Sequence, residues 1–219
     1  MAKTIVLNVL LVLALAASGC EQKPEAGELP QVEQPRPVTT QTFVHPTPID
    51  VGDEPVRQRN RLTIDQLNAS IRQVTGGIGW VIGGVDQLEV LAPSLGVPDY
   101  ALTTQEDLEP SALFQKFLGD AARHVCTELE DNARADEDGG VLLGGLTPAD
   151  TLEVNPEGVV ANLSRLVLRF HGQSFAVDAP EIERWRWLFE SSYAVSGDAL
   201  TTWNVICVGL ITHPDFYTY

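Results

Sequence analysis

The chain has 219 residues, room for one domain with extensions or at most two small domains. Its hydrophobic fraction of 44% is that of a globular protein, and a formal charge of −16 argues against docking on nucleic-acid phosphates or anionic lipid, which needs clustered Lys and Arg. Three cysteines, with no CxxC, no CxxCH and no Cys/His cluster, leave a zinc ribbon, a thioredoxin-type redox centre and covalent c-type haem without support.

Residues 1–20 read MAKTIVLNVLLVLALAASGC. Lys3 gives a short positive region, and residues 5–17 form an apolar run interrupted only by Asn8. At about 13 residues that run is short of the roughly 20 a bilayer span requires. Ala17, Ser18 and Gly19 are the small residues a signal peptidase needs, and Cys20 follows them directly. The segment resembles a bacterial lipobox, in which the thiol is alkylated by diacylglycerol before the signal is cut. It departs from the commonest pattern in having Ala17 where Leu is usual. The resemblance implies a signal peptide over 1–19 and a lipid on Cys20 that anchors the chain in a membrane. Glu21 then implies, for a two-membrane bacterium, the outer membrane rather than the inner one. The alternatives are an ordinary secretory signal with an incidental cysteine, and a retained membrane anchor.

Residues 20–60 carry Pro24, Pro30, Pro35, Pro37, Pro46, Pro48 and Pro55 and no helical or strand period. Each proline lacks a backbone donor and restricts its predecessor, so this stretch reads as a disordered tether. His45 is an ordinary residue of that linker.

From Arg61 to Tyr219 the texture changes to that of a folded domain. Thr63 and Gln66 form a capping box, Ile64, Leu67, Ile71 and Val74 then fall on one stripe, and Gly76-Gly77 stops the helix. Residues 78–100 are punctuated by glycine and proline and read as a loop with helical turns that buries Trp80 and Ile82. A second helix starts near Ser111 and turns Leu113, Phe114, Phe117, Leu118, Ala121, Val125 and Leu129 inward; residues 130–145 read as an acidic, glycine-rich loop. A third has Asn155 as cap, Pro156 at its first position and Glu157 in its first turn. Its stripe is Val159/Val160, Leu163, Leu166/Val167 and Phe170, ending at Gly172. A fourth opens on an Asp178/Glu181 capping box and buries Ile182, Trp185, Leu188 and Phe189. The fifth runs from about Asp198 to Thr212 with Trp203, Ile206, Cys207 and Leu210 aligned, and Pro214 ends it. The expected fold is mainly α: about five amphipathic helices in one irregular bundle.

The chemistry-bearing residues read mostly as structure. The Asp136-Glu137-Asp138-Gly139 run lacks the alternating carboxylates and the terminal Glu of an EF-hand. His124 sits beside an apolar stripe, while His171 and His213 each end a helix, where a cation suits the dipole. No HxxxH or HExxH spacing occurs and the only methionine is Met1, so no metal ligands or cofactor are nominated, and non-covalent bis-histidine haem is the weak exception. His213-Pro214-Asp215 copies the tripeptide of J-domain co-chaperones, but there it lies between two helices and here four residues follow, so the match is set aside. No GxSxG or GxxxxGK[ST] is present, and no catalytic residue is nominated. Trp185 and Trp203 fall on inner stripes; Trp187 falls off its stripe and is the candidate exposed aromatic. Cys126 and Cys207 are either a bridge between the second and fifth helices or two buried thiols.

Three segments together carry a further resemblance. Residues 61–72 (RLTIDQLNASIR), then Arg169-Phe-His-Gly-Gln-Ser-Phe175 with Ala179-Pro180-Glu181 and Trp187-Leu-Phe189, then residues 205–217 (VICVGLITHPDFY) are similar, in that order, to segments of large secreted proteins of planctomycetes and myxobacteria. Those carry mainly helical domains of unknown function, often fused to c-type cytochrome modules. This chain is much shorter and lacks the haem-binding cysteines. The resemblance implies an exported helical protein in a multi-component envelope system.

The expectation is a lipid-anchored, non-catalytic interaction or accessory module of the periplasm or outer membrane with a protein partner. One alternative is an electron-transfer accessory that docks a haem protein through its acidic surface; the other is an enzyme whose site is assembled in space.

Overall fold

A computed structural model of the chain describes residues 60–97, 107–135 and 140–219. The signal segment, Cys20 and the tether through residue 59 lie outside them, as do residues 136–139, where the calcium-loop reading falls.

Among the described residues the protein is mainly helical, with five long helices, three short ones and one two-stranded hairpin. Helix α1 (Ile64–Thr75) starts at a formed capping box: the Gln66 amide donates to Thr63 Oγ1 at 3.2 Å, and the Thr63 amide donates to Gln66 Oε1 at 3.0 Å. It ends at Gly76, whose φ of 78° only glycine adopts without strain. Strands β1 (Val81–Ile82) and β2 (Val85–Asp86) then pair antiparallel around Gly83-Gly84. Asp86 caps α2 (Gln87–Leu91) by accepting from the Leu88 and Glu89 amides, and a 3₁₀ turn, Ala92–Leu95, follows. Residues 78–97 thus hold a hairpin as well as helical turns. Trp80 is buried as expected, but Ile82 is 53% exposed, because among the described residues the two-residue strands have no second layer to pack on.

Helix α3 (Ala112–Ala135) buries Phe114, Leu118, Ala121, Ala122, Val125, Cys126 and Leu129. Leu113, read as an inward residue, is 45% exposed, since its neighbour Phe114 takes the core-facing position. The acidic-loop reading of residues 130–145 also needs correction. Residues 130–135 continue α3, and α4 (Gly140–Leu143) drives Leu142 and Leu143 fully into the core. Two leucines outweigh the local glycines once a core is there to receive them.

Helix α5 (Pro156–His171) begins and ends as its signals predict, with Asn155 accepting from the Gly158 amide at 3.0 Å and Gly172 as the left-handed cap. Helix α6 (Pro180–Ser196) departs from expectation at its start: Ala179 is the cap and no side chain bonds to the first turn, so the Asp178/Glu181 box is not made. Helix α7 (Ala199–Thr212), capped by Asp198, is apolar nearly all round. Trp203, Ile206, Cys207, Leu210 and Ile211 are fully buried, the signature of a central helix. Its widest packing is against α3, then α6. Pro214 ends α7 but also opens one further turn, α8 (Pro214–Tyr217).

One buried cation ties the start of the domain to the rest of the core. Arg61 is 1% exposed and donates to the carbonyls of Leu62, Leu95 and Asp107. It forms an isolated antiparallel bridge with Thr218, and the Leu62 amide donates to Tyr217 O at 2.7 Å. The segment that opens the domain is therefore held against α8.

Candidate functional site

A cleft of about 410 Å³ opens where three helix ends meet. The last turn of α5 supplies Val167 and His171, and the chain after it supplies Gln173 and Phe175. The first half of α6 supplies Glu181, Arg184, Trp185, Trp187 and Leu188; the α7–α8 junction supplies His213 and Asp215. Most of the wall is apolar or aromatic, and His171, Gln173, His213 and Asp215 lie together in it.

Each of those polar groups is placed by a local rule. Helix α7 leaves its last carbonyls without intrahelical donors, and the residue that would donate to Leu210 O is Pro214, which has no N–H. His171 takes that place, its Nε2–H donating to Leu210 O at 3.0 Å. That bond makes Nδ1 the lone-pair nitrogen of the ring. His213 joins α7 to α8 in an extended conformation, and its Nδ1 accepts from the Asp215 amide at 3.2 Å. Gln173 donates to Asp215 Oδ2 at 3.3 Å, and the same oxygen lies 3.6 Å from His213 Nδ1.

The two imidazoles stack, centroids 4.9 Å apart and planes 28° apart, with the Trp185 ring 5.9 Å from each. Gly209 makes room for that indole: a Cβ there would stand 3.2 Å from Trp185 Cζ3 and 3.5 Å from Leu188 Cδ2. One ligating atom each from His171, His213 and Asp215 lies within 4.8 Å of the other two.

Burial is the main cause that holds the His171 imidazole below the usual histidine range. The Leu210 carbonyl opposes it, nearby His213 adds to it, and the Asp215 carboxylate opposes it more weakly. The surroundings of His171 thus favour the neutral imidazole. That runs against the expectation of a cation at the helix end, because desolvation penalises the charged ring.

Trp187, read as an exposed aromatic, is half-buried in the cleft wall, since α6 turns it along the groove rather than out to solvent. Cys126 and Cys207 are bonded to each other, Cα atoms 5.8 Å apart, fully buried where α3 packs on α7. His124 lies apart, on the partly exposed side of α3 beside Arg123, Thr127, Glu128 and Asp131. The sequence nominates none of the converging trio His171, His213 and Asp215. Two signals for it were present, the shared helix-end position of the histidines and the His-Pro-Asp tripeptide, but neither reveals that the two helix ends meet.

Compared with known proteins, the chain matches no family model, no curated protein and no solved structure.

Proposed function

We propose that the protein is a membrane-anchored accessory module of the bacterial envelope that works by binding, and that the His171–Trp185–Trp187–His213 cleft is its ligand seat. The cleft carries this reading. Its volume lies in the range of small-molecule sites, and it combines aromatic walls with a few convergent polar groups, the usual composition of such sites. A ligand with a planar apolar body and one polar end suits it. The lipobox-like Cys20 and the proline-rich tether support the address: a lipid at the membrane, and a linker that gives the domain reach beyond it.

Two measurements test this. Native mass spectrometry of protein extracted gently from its own membrane should give a lipidated chain beginning at Cys20; an unlipidated chain overturns the anchor. A fragment set of planar aromatic acids and amines, read by tryptophan fluorescence, should include binders that Trp187→Ala weakens. No binder, or binders indifferent to that change, removes the cleft as the seat. Chemical turnover of a bound fragment would replace binding by catalysis.

A further inference from the structure

We propose that the polar end of the cleft is a divalent transition-metal site of the zinc class, formed by His171, His213 and Asp215 with a fourth position open to the cleft. The proposal rests on the reading of the cleft as the binding seat and names what is bound at its polar end.

Two imidazoles and one carboxylate are a borderline donor set. It suits zinc, nickel, cobalt or copper, whereas calcium and magnesium favour all-oxygen shells. Metal–ligand bonds of 2.0–2.2 Å in a tetrahedral site put neighbouring ligand atoms about 3.4 Å apart. His213 Nδ1 and Asp215 Oδ2, at 3.6 Å, already stand near that edge. One ligand atom from each of the three residues lies within 4.8 Å of the other two, so closing the third edge to tetrahedral spacing takes a movement of up to about 1.4 Å, within reach of side-chain rotation.

The surroundings supply what a histidine ligand needs. His171 gives its Nε2–H to a backbone carbonyl, the outer contact that fixes tautomer and ring orientation in metal-bound histidines, and presents Nδ1 as donor. Gln173 orients Asp215 through the bond to Oδ2. Coordination at His213 Nδ1 would give up one weak bond, that from the Asp215 amide. Three protein ligands and an open position facing an aromatic cleft form a site that can bind a further donor atom from solution.

The test uses the tag-free full chain in detergent, with metal salts as the only added ligand. Zn(II) competed against a chromogenic chelator should bind at one equivalent. Co(II) should give the visible bands of a four- or five-coordinate nitrogen/oxygen site and quench tryptophan fluorescence. His171→Ala, His213→Gln and Asp215→Asn should each weaken Zn(II) binding about 10-fold or more, whereas His124→Ala leaves it unchanged. His213→Gln guards against misfolding, since His213 is 44% exposed at its side chain and the variant's circular dichroism should match wild type. Zn(II) binding no tighter than Ca(II), or binding indifferent to these changes, overturns the site. If planar fragments still bind in that case, the cleft reading stands without the metal; if both fail, both fall.

Discussion

The guanidinium carbon of Arg61 lies 4.9 Å from the centre of the Phe114 ring, buried where the first residues of the domain meet α3. Backbone carbonyls of Leu62, Leu95 and Asp107 accept its protons, so one planar cation ties the opening segment to the 3₁₀ turn and to the chain at Asp107. Lysine cannot reproduce that fork or stack flat on the ring. Arg61→Lys should therefore cost about 2 kcal/mol and Arg61→Ala about 3 kcal/mol, read as a fall in the urea midpoint with an unchanged slope. A loss under 0.5 kcal/mol for both would show that the buried cation is dispensable.

The Cys126–Cys207 bridge closes a loop of 81 residues between α3 and α7. In the chain-entropy description such a closure stabilises by roughly 4 kcal/mol. The Cys126→Ala/Cys207→Ala double variant should melt about 10–15 °C lower than the oxidised protein while keeping its helical circular dichroism. Equal melting temperatures would mean that packing of α3 on α7 suffices alone.

Gly209 sets how closely α7 approaches the Trp185 indole. Adding one methyl there brings it to 3.2 Å from Cζ3, tighter than ordinary van der Waals contact, so the ring must shift toward the cleft. Gly209→Ala should change the tryptophan emission and weaken cleft ligands several-fold, with a stability loss of about 1 kcal/mol. An unchanged spectrum and unchanged binding would show that the cleft wall yields elsewhere.

Acid should unfold the domain partly through Asp86. Burial pushes its carboxyl up, but bonds from Asn68, Arg72 and the Glu89 and Leu88 amides together outweigh that and hold it below its ordinary value of 3.8. A carboxylate whose folded pKa is depressed contributes stability that is present above the unfolded value and lost as pH falls through the folded one. Asp120, Asp150 and Asp198 are lowered in the same direction, so the loss below about pH 4 is shared. Asp86→Asn should lower stability at pH 7 by about 1 kcal/mol and flatten the acid limb. A limb as steep as wild type would assign that loss to the other carboxylates.

Much of the architecture is local, and local signals are legible. Thr63 with Gln66, Asn155 with Pro156, and Gly76 and Gly172 at helix ends each satisfy or release backbone groups within a few residues, so the amino acids in order suffice to place those helices. The aligned Trp203, Ile206, Cys207 and Leu210 stripe of α7 was legible too, but that α7 is the central helix was decided by its packing against α3 and α6. Misreadings fall where a local preference meets a tertiary demand. Leu142 and Leu143 form a helical turn amid glycines because a core receives them, and Ile82 stays exposed because, among the described residues, no second layer packs on the hairpin.

What the sequence by itself determined is the helical class, the helix starts and stops of α1, α5 and α7, and the absence of familiar catalytic spacings. The tertiary structure alone decided that Cys126 meets Cys207 and that His171 meets His213 and Asp215. The reason lies in how those contacts arise. Pro214 leaves the Leu210 carbonyl without its helical donor, and only the packing of α5 beside α7 brings the His171 ring to fill that gap. No periodicity along the chain encodes which helix end will stand opposite which.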